Sequence, residues 1–305
     1  FLNMTRNSED TGVRGNKFLK RPGEQVSFSI FEIEEYEKCS VDPIYFIENY
    51  GKIISLDKGI VDFKLFPYQK RLIEAIHNNR KVVAKLGRQL GKSSVVAGYI
   101  AWYVLFQETK NVCILANKMS TAKEIFSKVQ LIIELCPKWI QQGVLEWNKT
   151  SFKLENKSRA YCAATSPSAI RGQSVNFVML DEFAFLTTAL AEEFIASVFP
   201  TLSSSEESKM VIVSTPKGMN HYYKIWIEAE RGLNGFIPIS GHWSEHPGRN
   251  QAWANTQLTE LGELRFNQEG ECVAGETPVV VEIEGKRLEI AMKELYDLME
   301  GDQDD

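Results

Sequence analysis

Cysteine is scarce in this sequence and badly placed for metal or cross-links. The five cysteines among 305 residues, Cys39, Cys113, Cys136, Cys162 and Cys272, include no Cys-x-x-Cys pair and have no close histidine partner. That argues against a zinc site. An odd number at wide spacing predicts a reducing, intracellular setting and no disulfide framework. Four of the five lie in apolar surroundings and are expected as buried packing residues; Cys272 stands apart. Also missing is any apolar run of roughly 18 residues, so no transmembrane helix is expected. The start, Phe1-Leu2-Asn3-Met4, has neither an initiator Met nor an apolar signal core, which predicts a chain clipped at that end.

Excess charge is lacking through most of the chain. The net charge is −5, but residues 272–305 hold 10 acidic and 3 basic residues, leaving 30 acidic and 32 basic in the first 271. The acidity belongs to the tail, so the overall charge says nothing about a nucleic-acid partner. What is present is a normal apolar fraction of 44%, ample for a core in a chain this long.

The pattern is one of alternation. Residues 1–25 are polar and rich in Gly, Asn and Arg, and read as a flexible lead-in. Apolar spacing is helical from Phe28 to about Tyr50, with Pro43 marking a new start, and Phe66-Pro67 opens a helix through about Asn78. Short apolar runs at 81–85, 111–116, 175–180 and 210–215 read as strands, with helices over 92–106 and 120–135. This predicts an α/β fold of RecA or P-loop type, with a doubly wound, mainly parallel sheet. Each strand ends in a polar or glycine-bearing element: Gly87-Arg88-Gln89, Asn117-Lys118, Asp181-Glu182 and Ser214-Thr215. Ligands sit at the carboxyl ends of strands in such sheets, so these elements are expected to form one site.

The loop Gly87-Arg88-Gln89-Leu90-Gly91-Lys92-Ser93-Ser94 lies between a strand and a helix. A glycine-bearing loop there can aim backbone N–H groups at phosphate oxygens, on the positive end of the helix dipole. Lys92 is expected to reach the β- and γ-phosphates of ATP and the Ser93 hydroxyl to ligate Mg²⁺. The usual spacing puts glycine at position 86, where this chain has Leu86; an ordinary glycine turn before Lys-Ser is the bland alternative. Asp181, closing an apolar strand, is the candidate for the Mg²⁺ shell and Glu182 for polarising the attacking water. Arg88 and Arg171 are candidates for stabilising charge on the γ-phosphate, with a surface or phosphate-steering role as the alternative. Tyr68 and Gln69 could read the adenine by stacking and amide hydrogen bonds, or Gln69 could simply face solvent. Ser214 and Thr215 would sit near the γ-phosphate and sense hydrolysis, or form a plain turn before Pro216.

With these elements in order, the sequence resembles the amino-terminal ATPase domain of the large terminase subunit of T-even-like tailed phages. That family uses a variant P-loop with an Arg inside it, like Gly87-Arg88-Gln89-Leu90-Gly91-Lys92-Ser93-Ser94, so the displaced glycine is an expected feature. The resemblance extends to Tyr68-Gln69-Lys70-Arg71, Val144-Leu145-Glu146-Trp147-Asn148-Lys149, the stretch from Ser166 to Ser174, Asp181-Glu182-Phe183-Ala184-Phe185, and the stretch from Ser214 to Tyr223, and covers about residues 35–271. It implies a motor that packages double-stranded DNA, with ATP and Mg²⁺, partnered by a portal and a small terminase subunit, in the cytoplasm of an infected bacterium and not at a membrane. Ser214 and Thr215 would couple hydrolysis to movement. The family also carries an RNase H-like nuclease domain; the sequence stops before it, so nuclease activity is expected to be absent.

Beyond Glu271 the texture changes. Cys272-Val273-Ala274-Gly275-Glu276-Thr277 resembles the first splicing block of inteins, in which a nucleophile opens the insert. Residues 277–290 read as two strands joined at Glu284-Gly285, followed by an amphipathic helix over 292–299. The resemblance implies a β-rich, Hint-type fragment over 272–305, the amino-terminal half of a split intein, with 35–271 as its N-extein and 1–34 as the lead-in. The Cys272 thiol would attack the carbonyl of Glu271, and the partner would be a complementary intein half carrying the nuclease domain. The alternatives are another P-loop nucleic-acid translocase or helicase with an acidic tail and no splicing, or a splicing precursor silent until ligated.

Overall fold

The computed structural model describes residues 12–55, 57–170, 174–203, 207–266, 270, 278–283 and 286–291. The first elements are α1 (Ile30–Val41), α2 (Pro43–Tyr50), β1 (Lys52–Ser55), β2 (Gly59–Asp62), α3 (Pro67–Asn78), β3 (Lys81–Leu86) and α4 (Lys92–Phe106). Then come β4 (Asn111–Ala116), α5 (Met119–Leu135), β5 (Val144–Trp147), β6 (Ser151–Leu154), β7 (Arg159–Ala164) and β8 (Phe177–Asp181). The remainder are α6 (Thr188–Ser203), β9 (Lys209–Ser214), α7 (His221–Glu230), β10 (Ile237–Gly241), α8 (Gln251–Leu261), α9 (Glu263–Phe266), β11 (Pro278–Ile283) and β12 (Lys286–Ala291). The chain forms two compact units that interleave along the sequence.

The first unit takes residues from 1–65, 93–164 and 174–178. Its helices start where the sequence supplies caps. Ser29 and Glu32 satisfy each other's backbone N–H groups at the head of α1, and Asp42 caps α2, whose first residue is Pro43. The helix α4 is apolar all round and buried continuously from Val95 to Leu105, as a helix without a polar face must be. Gly98 lets it come close to α2: a Cβ there would lie 3.1 Å from Ile47 Cδ1. Its strands run β4-β7-β6-β5. β4 pairs with β7 in parallel, but β7–β6 and β6–β5 are antiparallel. The expected doubly wound, mainly parallel sheet is therefore a mixed one on this side. The short links 148–150 and 155–158 leave no room for a crossover, so only hairpins can form. Residues 12–25, expected as a flexible lead-in, are instead anchored. Leu19 is fully buried, and the buried Gln141 side chain accepts from Lys20 N–H at 2.8 Å while donating to Phe18 O at 2.9 Å.

The second unit takes residues 66–92, 165–173 and 179–305. Its strands lie in the order β10-β3-β9-β8, with β3 parallel to both β10 and β9. β3 is buttressed by α7, whose Tyr222 hydroxyl donates to Ala84 O at 2.9 Å and whose Trp226 ring lies 4.4 Å from the Lys85 ammonium. β11 and β12 form a two-stranded antiparallel sheet of their own, in register from Pro278↔Ala291 to Ile283↔Lys286, as the sequence predicts. The Glu271/Cys272 boundary and the helix expected over 292–299 lie outside the described residues.

Candidate functional site

The candidate residues are set by what ends each strand. β3 stops at the buried Leu86, the loop 87–91 follows, and α4 opens on Lys92, giving the strand–loop–helix order expected. Gln89 (φ 59°) and Gly91 (φ 73°) are both left-handed, an alternation that makes the backbone concavities that receive anions. Gly91 is needed twice over. A side chain there would be strained, and its Cβ would sit 2.8 Å from Gln69 Nε2. Arg88 and Gln89 are exposed on the loop; Lys92, Ser93 and Ser94 are half-buried in the first turn of α4.

Tyr68 and Gln69 do something other than present themselves to a base. Both are buried. The Tyr68 hydroxyl donates to Leu90 O at 2.9 Å, and Gln69 Nε2 donates to the same carbonyl at 3.1 Å. Gln69 Oε1 meanwhile accepts from Phe66 N–H at 3.0 Å, closing the amino terminus of α3. The pair ties α3 to the phosphate loop through one backbone carbonyl. Burial raises the Tyr68 phenol to about 12, so it stays a neutral donor.

The acidic pair closes β8. Asp181 is buried at 4% exposure and Glu182 is half-buried, with φ 55° and ψ 34°. The 3-10 turn Phe183–Phe185 follows at once. Ser214, fully buried at the end of β9, accepts from Ala184 N–H at 3.1 Å and donates to Thr215 O at 2.9 Å. The structure thus brings the predicted Ser214-Thr215 pair onto the turn beside Glu182. Arg171, Glu271 and Cys272 lie outside the described residues.

Arg249 is a residue that sequence reasoning missed. Its Nη2 donates to Arg88 O at 3.1 Å, and its guanidinium lies 4.4 Å from the centre of the Trp253 ring. Burial lowers its pKa, the usual penalty for a partly desolvated cation. Trp253 packs on a small core of Trp243, Ala254 and Phe266, which ties the segment 243–266 to the phosphate loop. Nothing in the sequence flags this arginine, because its partner is a backbone carbonyl 161 positions away.

The profile of the family "Terminase large subunit, T4likevirus-type, N-terminal" matches residues 83–275. The large terminase subunit of Thermus phage G20c is 29% identical over 241 residues, which are 68% of this chain and 49% of that protein. The chain thus spans about half the length of the curated relatives it matches. Among solved structures, the large terminase ATPase domain of Thermus phage P74-26 aligns with a TM-score of 0.56 at 23% identity, over 69% of this chain and 94% of that one. A large terminase from a thermophilic bacteriophage, solved in complex with ADP, aligns with a TM-score of 0.55 at 10% identity, over 79% of this chain and 75% of that one. Those likenesses speak for the fold, and the profile match, which runs from β3 through the loop, the acidic pair and Ser214-Thr215, says that the chain belongs to the amino-terminal family of T4-type terminase large subunits.

Proposed function

We propose that this chain is the ATP-hydrolysing motor part of a phage large terminase and drives the packaging of double-stranded DNA. The observation that carries the reading is that one unit holds both the left-handed loop ending in Lys92 and the pair of buried Asp181 and half-buried Glu182, on strands separated only by β9. The P74-26 relative is an ATPase domain by name, and the terminase from the thermophilic bacteriophage was solved with ADP. In this reading the loop N–H groups and the Lys92 ammonium hold the β- and γ-phosphates. Glu182 takes the proton of the attacking water as its oxygen bonds to the γ-phosphorus and the bond to the departing ADP oxygen breaks. Arg88, exposed on the loop, and Arg171 offset charge on the transferred phosphoryl group.

A buried carboxylate and a primary hydroxyl, Asp181 and Ser93, are the hard oxygen donors that Mg²⁺ prefers. Those residues would hold it, and it would supply charge neutralisation on the phosphates. Ser214-Thr215 carries the hydrolytic event toward the DNA, with a portal and a small terminase subunit as partners in the infected cell's cytoplasm. Lys92→Ala and Glu182→Gln are each expected to lower ATP turnover by at least about 100-fold. Turnover within tenfold of the parent in both variants sinks the site.

The segment from Cys272 is proposed as an amino-terminal intein segment. Its support is the Cys272-Val273-Ala274-Gly275-Glu276-Thr277 motif and the separate hairpin β11–β12. The Cys272 thiol would add to the Glu271 carbonyl, the Glu271–Cys272 peptide C–N bond would break, and a thioester and a free Cys272 amine would result. The family match running on to residue 275, across Cys272, makes the test necessary. Supplied with a complementary carboxyl-terminal intein half, the parent should ligate and Cys272→Ala should not; ligation by the variant refutes the splicing role.

A further inference from the structure

Glu182 stands in a backbone conformation that only its neighbours can justify. With φ 55° and ψ 34° it is left-handed, a state that crowds the Cβ of any residue other than glycine against the following carbonyl oxygen. Such a conformation persists where the surroundings over-determine it. Here the surroundings include hydrogen bonds to the turn that follows. Phe185 N–H donates back to Glu182 O at 2.9 Å, and Ala184 N–H is taken by Ser214 Oγ.

Two side chains at the start of α7 hold the carbonyls of the same turn. Asn220 Nδ2 donates to Ala184 O at 2.6 Å, and His221 Nε2 lies 2.7 Å from Phe183 O. A carbonyl can only accept, so the His221 proton sits on Nε2. This tautomer agrees with the buried Nδ1, which has no hydrogen-bond partner among the described residues. The His221 ring also meets the Phe183 ring edge-on, 4.9 Å between centres. Asn220 works in both directions. Its Oδ1 accepts from Tyr222 N–H at 3.0 Å and Tyr223 N–H at 3.3 Å, capping α7, and that fixes its amide with Nδ2 toward the turn.

The geometry points to Asn220 and His221 as positioning residues for Glu182: through the carbonyls of Phe183 and Ala184 they fix the direction in which its carboxylate leaves β8. The inference rests on reading Glu182 as the group that polarises water. It also gives the stretch after Ser214-Thr215 a part in the chemistry, since β9, the loop 215–220 and the head of α7 all grip the one turn. A small displacement of a general base is enough to slow the reaction severely.

The bland alternative is that Asn220 only caps α7, and Asn220→Asp separates the two roles. Aspartate caps a helix as well as asparagine does, but it has no N–H to give Ala184 O. In the full chain, Asn220→Asp is expected to lower kcat for Mg-ATP about tenfold or more, with KM, binding of a non-hydrolysable ATP analogue and Tm close to the parent. His221→Leu should act likewise, and His221→Gln, which offers an amide donor, should restore most of the rate. Parental kcat in Asn220→Asp and His221→Leu, beside an inactive Glu182→Gln, overturns the positioning role alone. Retained kcat in Glu182→Gln overturns both the reading of Glu182 and this inference. A fall in kcat matched by raised KM and lowered Tm leaves Asn220 a structural cap and also overturns it.

Discussion

At the scale of single residues, the displaced glycine of the phosphate loop has a local cause. Leu86 occupies the position where the usual motif has glycine, and it is buried at the end of β3. In register beside it on β10 stands Gly241. A Cβ on Gly241 would run into Leu86 Cδ2 and lie 3.3 Å from Tyr68 Cδ2. The missing side chain on β10 therefore makes room for the extra one on β3, and the Tyr68 that holds Leu90 O packs over the same spot. Gly241→Ala is expected to destabilise the fold by about 1–3 kcal/mol, the usual penalty of overpacking. Because the two positions share that space, the effect should shrink when combined with Leu86→Ala. In thermal denaturation, the double variant should lose at least about 1 kcal/mol less than the two single variants together; strict additivity would show that they do not compete for it. The loop itself, Asp181 and Glu182 were legible in the sequence because glycine, lysine and acidic residues at strand ends are local signals. The true tasks of Tyr68 and Gln69 were not. A sequence shows that a Gln precedes a strand, but only packing shows that its amide is spent on Phe66 and Leu90.

At the scale of elements, strands and helices with their own caps and periodicities were found within a residue or two of their expected bounds. The unread elements include the short strands β5 and β6, the helices α6, α7 and α8, and β10, which depends on a partner distant in sequence. The carboxyl end of α3 is an example of such dependence. Lys209, at the start of β9, donates to the carbonyls of Ile76, His77 and Asn79 at 2.9–3.0 Å, a cation on the negative end of the helix dipole. The hairpin β11–β12 is the opposite case, legible in sequence and self-contained in structure. A lone two-stranded hairpin is marginal in water and adds little to a larger core. Deleting 272–305 should therefore leave a single cooperative melting transition within about 4 °C of the parent, roughly 1–2 kcal/mol for a domain of this size. Loss of that transition would mean that the hairpin belongs to the core of the preceding domain.

At the scale of the whole molecule, the buried cysteines follow the expectation. Cys39, Cys113, Cys136 and Cys162 are all buried and unpaired, and burial pushes the thiols of Cys39 and Cys113 to about 12. The mixed sheet and the interleaved units do not follow it, because alternation of strand and helix specifies that strands exist, and link lengths and sheet edges decide how they pair. The sequence by itself determined the α/β class, the phosphate loop, the acidic pair and the family, since each is written in residues close together in the chain. Tertiary structure alone decided that Leu86 is tolerated by Gly241, that Arg249 reaches the loop, and that Asn220 and His221 grip the turn after Glu182. Those contacts join residues far apart in sequence, often through backbone atoms that every residue shares, so no local pattern can announce them.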